Sequence, residues 1–217
     1  MPVTNIEASS RAVLRSERTR ASILGAAETL FAERGFAETR LEDVAAAVGI
    51  RRASIVYYFA DKAALYDAVL ADVFGDLLAR IEPVLTTPAP LAERGVAAVS
   101  VWIDTIAARP SMARILLREV ADGRAGHEPP LIRHTRAFHA LIGRVIAANP
   151  ADPMASAPPV EPVQIASLVA GWTVFFVAAI PALLPGAIFD PLAAEQLAAH
   201  KREVLGTVRR LLGIAAT

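Results

Sequence analysis

The chain has 217 residues, no cysteine and a formal net charge of zero. The lack of cysteine excludes a disulfide framework and a thiolate metal site, and it fits a reducing, cytoplasmic location. Hydrophobic residues make up 54% of the chain and charged residues 20%, a composition typical of globular proteins rather than disordered ones. Alanine and leucine dominate and apolar alternation with period two is absent, so we expect an all-α fold. The N-terminal residues include no apolar stretch of the kind found in signal peptides.

The first predicted elements are a flexible arm over residues 1–14 and a helix from about Ser16 to Arg34, which Gly35 ends. The core face of this helix has helical spacing: Ile23, Ala26, Ala27, Leu30 and Phe31. Although the whole chain is neutral, residues 11–20 carry four arginines against one glutamate: Arg11, Arg15, Arg18 and Arg20 against Glu17. A local basic cluster of this kind is the electrostatic feature expected of a nucleic-acid-binding surface.

Residues 39–62 form the most informative segment of the sequence. Apolar residues at Leu41, Val44, Ala45 and Val48 have the spacing of a half-buried helix. Thr39 and Glu42 have capping-box spacing at its start, and Gly49 stands where the chain must reverse with a positive φ. Arg51 and Arg52 open a second helix that carries Ser54, Tyr57 and Tyr58. This is a helix-turn-helix pattern, whose second helix can enter the major groove of DNA.

Further helices follow the helix-turn-helix. Asp61 is placed to cap a helix that begins at Lys62, and Pro83, Pro88 and Pro90 then mark a loop. Proline and small residues predict a loop over 124–130 and a mobile linker over 149–162. The predicted helices are Lys62–Ile81, Leu91–Ala108, Ser111–Ala121, Leu131–Ala148, Val163–Ile180 and Leu192–Leu212.

One long spaced pattern resembles the N-terminal DNA-binding domain of the TetR family of transcriptional regulators. It consists of Ile23, Leu24, Ala26, Ala27, Leu30, Phe31, Gly35, Phe36, Thr39, Leu41, Val44, Ala45, Val48, Gly49, Ile50, Phe59, Lys62 and Leu65. The resemblance covers residues 17–77, with the helix-turn-helix at 40–59. It implies that residues 78–217 form a helical bundle for ligand binding and dimerisation, which they resemble in layout.

The resemblance also implies a set of DNA contacts. Thr39, Arg40 and Lys62 would contact phosphates, and Arg52, Ala53 and Ser54 would read bases. Tyr57 and Tyr58 would face the backbone or the groove edge, and Arg51 adds a further basic group to the reading surface. Three positions depart from the family pattern: Arg51 replaces serine or threonine, Ala53 replaces glycine, and Val56 replaces a phosphate-contacting tyrosine.

The run from Pro162 to Phe189 contains no charged residue and is long enough to span a bilayer. Polar residues and prolines interrupt it, so we expect no membrane association and interpret it as a helix buried against a partner subunit. Together with a stripe of helically spaced residues on the last predicted helix, this run predicts a four-helix homodimer interface. The predicted interface residues are Ala170, Gly171, Val174, Ala178, Leu197, His200, Val204, Val208 and Leu211.

Large apolar side chains among the C-terminal helices predict a ligand pocket, since helical bundles often hold a mostly apolar cavity. The candidate lining residues are Trp102, Thr105, Met112, Phe138, His139, Trp172, Phe175 and Phe176. Taken singly, each of these residues is better explained as ordinary core. No metal site is expected, because His134 and His139 have poor spacing for one helical metal face, and no motif indicates a catalytic site or a cofactor.

The sequence therefore predicts a cytoplasmic, homodimeric, ligand-responsive transcriptional regulator that binds a double-stranded DNA operator, and we expect it to act as a repressor. An apolar or aromatic small-molecule effector would release it. Two other classes stay open: a helical small-molecule-binding protein or enzyme whose N-terminal domain does not bind DNA, and a membrane-associated protein that uses the apolar run.

Overall fold

A computed structural model describes residues 3–122, 130–184 and 189–214. Within these ranges the structure contains helices and no strand, so the all-α prediction is confirmed. The elements are α1 Val3–Glu38, α2 Leu41–Val48, α3 Arg52–Tyr58, α4 Lys62–Leu85, α5 Leu91–Ala108, α6 Pro110–Asp122, α7 Pro130–Ala147, α8 Pro153–Ser156, α9 Pro162–Val174, a π-helical stretch Phe175–Ala179, α10 Ile180–Leu183 and α11 Ala194–Leu211.

The chain divides into two compact units, residues 1–72 and 73–217, and the division falls inside α4. The core of the first unit joins one apolar face from each of its helices. Its fully buried members include Ile23, Phe31, Val44, Ile55 and Leu65. This core fixes α2 and α3, the two helices of the helix-turn-helix.

Helix α1 is longer than the sequence predicts. It begins at Val3, within the stretch expected to be an arm, and it continues beyond Arg34 to Glu38. Neither glycine nor proline interrupts residues 3–24, so nothing in the sequence separates these residues from the helix that follows. Gly35 has φ 81° and ψ 171°, so the predicted break does occur there, inside the longer element.

The second unit is a bundle whose central cluster joins α5, α9 and α11. Its buried members are Val96, Ile103, Val169, Val204 and Val208. Trp102 and Leu197 pack against the cluster and are partly buried. Apolar contact among these three helices therefore holds the bundle together.

The first residues of the segment 149–162, which was predicted as a mobile linker, are anchored by hydrogen bonds. Asp152 caps the short helix α8 by accepting a hydrogen bond from the Met154 amide at 2.9 Å, and its other oxygen accepts one from the Leu91 amide at 2.8 Å. These two amide hydrogen bonds lower the pKa of Asp152. Arg94 donates to the Asn149 side chain at 3.1 Å and also to the Ala89 carbonyl. The sequence gives no hint of the two bonds that reach α5, because the residues that they join are 55 and 61 positions apart.

Other boundaries differ in smaller ways. Pro83 lies in the last turn of α4 rather than in a loop, and α4 ends at Leu85. The predicted helix Val163–Ile180 is broken by the π-helical stretch before α10. The loop predicted over 124–130 lies outside the described residues except for Pro130, where α7 begins, and Pro185 lies outside them as well.

Candidate nucleic-acid interface and effector site

The outer face of α3 is a compact, exposed surface. Arg52, Ala53, Val56 and Tyr57 are all exposed, and their spacing of one, four and five residues places them on one side of a helix. Tyr57 is 81% exposed, whereas Ile55 on the opposite side is fully buried. The core therefore orients α3 so that a basic and an aromatic side chain both point to solvent.

The turn before α3 closes as the sequence predicts. Gly49 has φ 73° and ψ 30°, in the left-handed region. Its amide donates to Ala46 at 3.2 Å, and the Ile50 amide donates to Ala45 at 3.0 Å, so the last carbonyls of α2 are satisfied. A residue with a side chain would be strained at this φ, which explains glycine at the position.

Most of the residues predicted to contact DNA are at the surface of the first unit. Arg40, Arg51, Arg52, Ala53 and Tyr57 are exposed, and Ser54, Tyr58 and Lys62 are half-buried. Thr39 is different, because only 1% of it is exposed. The structure therefore leaves its side chain out of the surface that the other residues form.

The hydroxyl of Thr39 lies 2.8 Å from the carbonyl oxygen of Gly35 and 3.2 Å from that of Leu30, at the end of α1. The predicted capping box with Glu42 is thus wrong. The N-cap residue of α2 is Arg40, which makes no side-chain capping bond. The Thr39 hydroxyl instead binds carbonyl oxygens of another helix. The end of α1 comes close enough to accept the hydrogen bond, although the sequence spacing had assigned the hydroxyl to α2.

Lys62 is also engaged inside the first unit. Its Nζ donates to the carbonyl oxygens of Phe36 at 2.7 Å and Ala37 at 3.0 Å, and it lies 4.5 Å from the centre of the Phe36 ring. The start of α4 is capped separately, because the Ala64 amide donates to Asp61 Oδ1 at 2.7 Å, as predicted. Lys62 therefore ties α4 to the end of α1.

Two carboxylates at the start of α2 are paired with arginines. Arg52 Nε lies 2.9 Å from Glu42 Oε1, and Arg34 Nη1 lies 3.3 Å from Asp43 Oδ2. No surface role was expected of Glu42, and Val56 was expected only to depart from the family pattern. The position of Val56, four residues after Arg52, could have indicated that the two share one helix face. The pairing of Glu42 with Arg52 depends on the angle between two helices, so no local sequence pattern indicates it.

Contacts from α1 support the C-terminal end of α3. Ser16 Oγ donates to the Tyr58 hydroxyl at 3.4 Å, and the Arg20 guanidinium lies 5.2 Å from the Phe59 ring centre. Tyr57 and Tyr58 meet edge to face at 5.1 Å. Tyr58 thus links the exposed Tyr57 to α1, and it limits the positions that Tyr57 adopts.

In the second unit, the predicted pocket residues do not form one lining. Thr105 and Met112 are buried, and Trp102, Phe138 and Phe176 are partly buried. Three others are exposed: His139, Trp172 at 39% and Phe175 at 48%. The structure brings together a smaller group, in which Trp172 and Phe176 surround a histidine that was assigned to the dimer interface.

That histidine is His200, which is 5% exposed. Its ring stacks on Phe176 with centroids 4.0 Å apart and meets the Trp172 ring edge to face at 5.7 Å. Burial lowers the pKa of His200 below the ordinary value of 6.5. Its Nε2 atom has no hydrogen-bond partner among the described residues, and the same holds for Trp102 Nε1 and Thr173 Oγ1. Orphaned polar atoms in a core mark a place that a polar group or water would satisfy.

A cavity of about 450 Å³ lies elsewhere in the second unit. Val160, Gln164, Ser167, Leu168 and Leu211 line it, between the start of α9 and the end of α11. None of these was predicted as a pocket residue, and only Leu211 had been singled out, as an interface residue. The cavity opens on the outer side of α9.

The outer side of α9 is apolar and exposed. Exposed residues recur every four positions along it, at Val163, Ser167, Gly171 and Phe175, the last being the first residue of the π-helical stretch, and Val163 is 68% exposed. By length and composition, Pro162–Leu183 is long and apolar enough to cross a membrane, and 22% of its most apolar window is buried. Soluble proteins bury such helices against other chains or domains as well.

Part of the predicted dimer interface faces inward. His200, Val204 and Val208 are buried in the bundle of their own subunit, with Val204 and Val208 fully inaccessible, and Val174 is 9% exposed. Ala170, Ala178, Leu197 and Leu211 are partly buried, and Gly171 is exposed. The stripe on α11 lies on the side that packs on α5 and α9. Packing within the subunit's own core and packing against a partner subunit require the same helical spacing, so the spacing alone did not distinguish them.

Residues 23–69 match the family described as bacterial regulatory proteins, tetR family. The chain is 40% identical over 83 residues to the HTH-type transcriptional regulator RutR of Escherichia coli, a match that spans 38% of each protein. It is 44% identical over 55 residues to TtgR of Pseudomonas putida, which spans 25% of this chain and 26% of TtgR. The HTH-type transcriptional repressor KstR2 of Rhodococcus jostii is 32% identical over 101 residues, 40% of this chain and 50% of KstR2. The matched segment thus spans half or less of each relative.

Solved structures of low sequence identity share the fold over most of the chain. The FadR regulator of Bacillus subtilis, solved with stearoyl-CoA, superposes with a TM-score of 0.65 at 15% identity and covers 90% of this chain and 99% of its own. The ketosteroid regulator KstR2 of Mycobacterium tuberculosis gives a TM-score of 0.65 at 19% identity, over 91% and 95% of the two chains. At these identities the comparison shows the fold alone.

Proposed function

We propose that this chain, whose residues 23–69 match the family of bacterial regulatory proteins, tetR family, is a DNA-binding transcriptional regulator that acts in the cytoplasm. In this proposal it represses by binding a palindromic operator, and it leaves the operator when an apolar or aromatic effector binds. The observation that supports the proposal most is the exposed face of α3, where Arg52 and Tyr57 are presented on a helix fixed from behind by Ile55.

In the proposed complex α3 enters the major groove. Arginine makes a bidentate contact with guanine O6 and N7, and apolar groups contact the thymine methyl, so Arg51 or Arg52 and Val56 are suited to different bases. Arg40 and the basic residues of α1 supply attraction to phosphates, which is independent of sequence and weakens with salt. Tyr57 has a hydroxyl and an open ring face for the groove edge or the backbone.

One such domain reads only a few base pairs, so we propose a homodimer. The exposed stripe Val163, Ser167, Gly171 and Phe175 on α9 supports this, because a second copy would cover an apolar face that a single subunit leaves open. The glycine in the stripe allows two helices to approach closely. Two recognition helices related by a two-fold axis would reach half-sites about one DNA turn apart.

We propose that the effector binds in the second unit, near the Trp172, Phe176 and His200 rings. Aromatic surfaces favour an apolar or aromatic body, and the orphaned Thr173 and His200 atoms favour one polar group on it. The FadR regulator solved with stearoyl-CoA and the ketosteroid regulator KstR2 are similar in fold, and the molecules in their names, an acyl thioester and a ketosteroid, each have a large apolar part. For this chain the effector class is a proposal that a ligand screen by thermal stabilisation would test.

Selection of bound duplexes from a random DNA pool tests DNA binding most directly. We expect an enriched palindrome, and we expect binding that weakens as salt rises. A chain that enriches no sequence at two salt concentrations would favour the other class, a helical small-molecule-binding protein or enzyme whose N-terminal unit does not bind DNA.

Effector action is tested by linkage. If the effector releases the protein from DNA, the enriched duplex must weaken effector binding by the same factor. Titration of an effector found in the screen, with and without the duplex, should give two different dissociation constants; equal constants would contradict release by that effector.

A further inference from the structure

The pairing of Glu42 with Arg52 places a carboxylate on the surface that the proposed function assigns to DNA. Glu42 lies in the first turn of α2, where its charge also suits the positive end of the helix. Its Oε1 lies 2.9 Å from Arg52 Nε, and the two side chains are 59% and 61% exposed. An acidic group at such a place opposes phosphates unless a positive group neutralises it.

We propose that Glu42 is a specificity-determining residue, which acts by holding Arg52 in an ion pair that only a better acceptor displaces. The inference rests on the proposed function. While the pair is closed, the carboxylate cancels the charge of Arg52 and engages its Nε, so Arg52 contributes little to binding of random DNA. A correctly placed guanine offers two acceptors in the plane of the guanidinium and takes Arg52 away from Glu42.

The energetics suit an exchange of this kind. An exposed ion pair is weak, since solvent screens it and two long side chains must be ordered. A bidentate contact to a base in a groove from which water is excluded is stronger. The pair is therefore strong enough to orient Arg52 in the free protein and weak enough to open at the right site, while an incorrect base leaves the carboxylate as the preferred partner.

The neighbouring carboxylate provides a matched control. Asp43 lies next to Glu42 in the same turn of α2 and is paired with Arg34 of α1, not with the recognition helix. Glu42→Gln and Asp43→Asn each remove one negative charge from the same turn. Only Glu42→Gln removes the partner of a residue on the exposed face of α3.

The test measures the affinity of the full chain for two probes of equal length, the duplex that the wild type enriches from a random pool and a random-sequence duplex. We expect Glu42→Gln to raise affinity for random DNA and to steepen its salt slope by about 0.9, the value for one added phosphate contact. The ratio of specific to random affinity should fall by roughly two- to fivefold, the size of an exposed ion pair. Asp43→Asn should leave that ratio within twofold of the wild-type value.

A double-mutant cycle decides whether Glu42 acts through Arg52. In an Arg52→Gln background, Glu42→Gln should no longer change the specificity ratio. An equal change in both backgrounds, or an unchanged ratio in the single variant, would overturn the inference while leaving the proposed function intact. A wild-type chain that enriches no duplex would overturn both. Circular dichroism melting of each variant checks that the first unit stays folded. A thermal shift that is equal in both backgrounds cancels in the cycle and does not affect the ratio of specific to random affinity.

Discussion

The ammonium group of Lys62 donates to the carbonyl oxygen of Phe36 at 2.7 Å, and so the first residue of α4 binds the end of α1. A second bond reaches Ala37, and the Phe36 ring lies beneath the charge. Lys62 thus serves as an internal clamp in the first unit, and the phosphate contact that the family resemblance implied for it stays a prediction.

Replacement of Lys62 by methionine should lower the free energy of unfolding by about 1–2 kcal/mol, because charged hydrogen bonds to two carbonyls are lost from a half-buried position. DNA affinity should then fall alike for specific and random duplexes, with little change in salt slope. Chemical denaturation and binding titrations at several salt concentrations check this. Lys201→Met, which removes a lysine paired with Asp104 in the second unit, is the control. A salt slope smaller by about 0.9 in the Lys62 variant would instead assign Lys62 to a phosphate.

Replacement of Gly49 by alanine should destabilise the first unit by about 1–2 kcal/mol, since its φ of 73° is costly for any residue with a Cβ. No atom lies within 4 Å of the added methyl group, so the cost comes from the backbone alone. Gly25→Ala is the matched control, because Gly25 is helical and equally open, and alanine there should stabilise by up to about 1 kcal/mol. Thermal melting of both variants measures the contrast, and destabilisation of equal size would contradict the explanation.

Replacement of Phe175 by serine should weaken the proposed dimer, because Phe175 is 48% exposed on the apolar stripe of α9. Sedimentation velocity over a range of concentrations should show a monomer where the wild type is a dimer. Val120→Ser is the control, since Val120 is 76% exposed but belongs to α6 and not to the stripe. If both variants remain dimers to the same low concentration, the stripe is not the interface.

The buried His200 should make the second unit sensitive to mild acid. Burial lowers the pKa of His200, so the fold favours the neutral ring while the unfolded chain takes up a proton near pH 6.5. This contribution to stability is present above pH 6.5 and is lost as the pH falls below it, toward the lowered pKa. Melting temperatures at pH 8 and pH 5.5 should differ less in His200→Phe than in the wild type. His139→Asn, at an exposed position, should keep the wild-type difference; a difference unchanged by His200→Phe would refute the assignment.

Much of the first unit was predictable because its signals are local. The spacing of Leu41, Val44 and Ala45, the reversal at Gly49 and the cap at Asp61 depend on neighbours in sequence, and the structure confirms all three. Thr39 was mispredicted because its hydroxyl had two possible partners, and the one it takes is on another helix. The pairing of Glu42 with Arg52 likewise follows from the angle between α2 and α3.

The second unit was less predictable because an apolar stripe on a helix does not indicate whether it packs within its own subunit or against another. Val204 and Val208 have the spacing of an interface seam, and the structure buries them in their own bundle. The unpredicted anchors at Asn149 and Asp152 join segments far apart in sequence. The exposed residues of α9, in contrast, were recognisable only once the buried side of the same helix was known.

The π-helical stretch Phe175–Ala179 has a consequence for how this chain tolerates insertions and deletions. A π-helical turn holds an extra residue compared with an α-helix, and each residue of an α-helix advances the chain by about 100°. The stretch between α9 and α10 therefore holds one residue more than an α-helical turn would. Loss of a single residue here would restore an ordinary α-helical turn, and Ile180–Leu183 would keep roughly the direction that they face now. Loss of a residue elsewhere in the helix would instead rotate all that follows by about 100° and take it out of its packing.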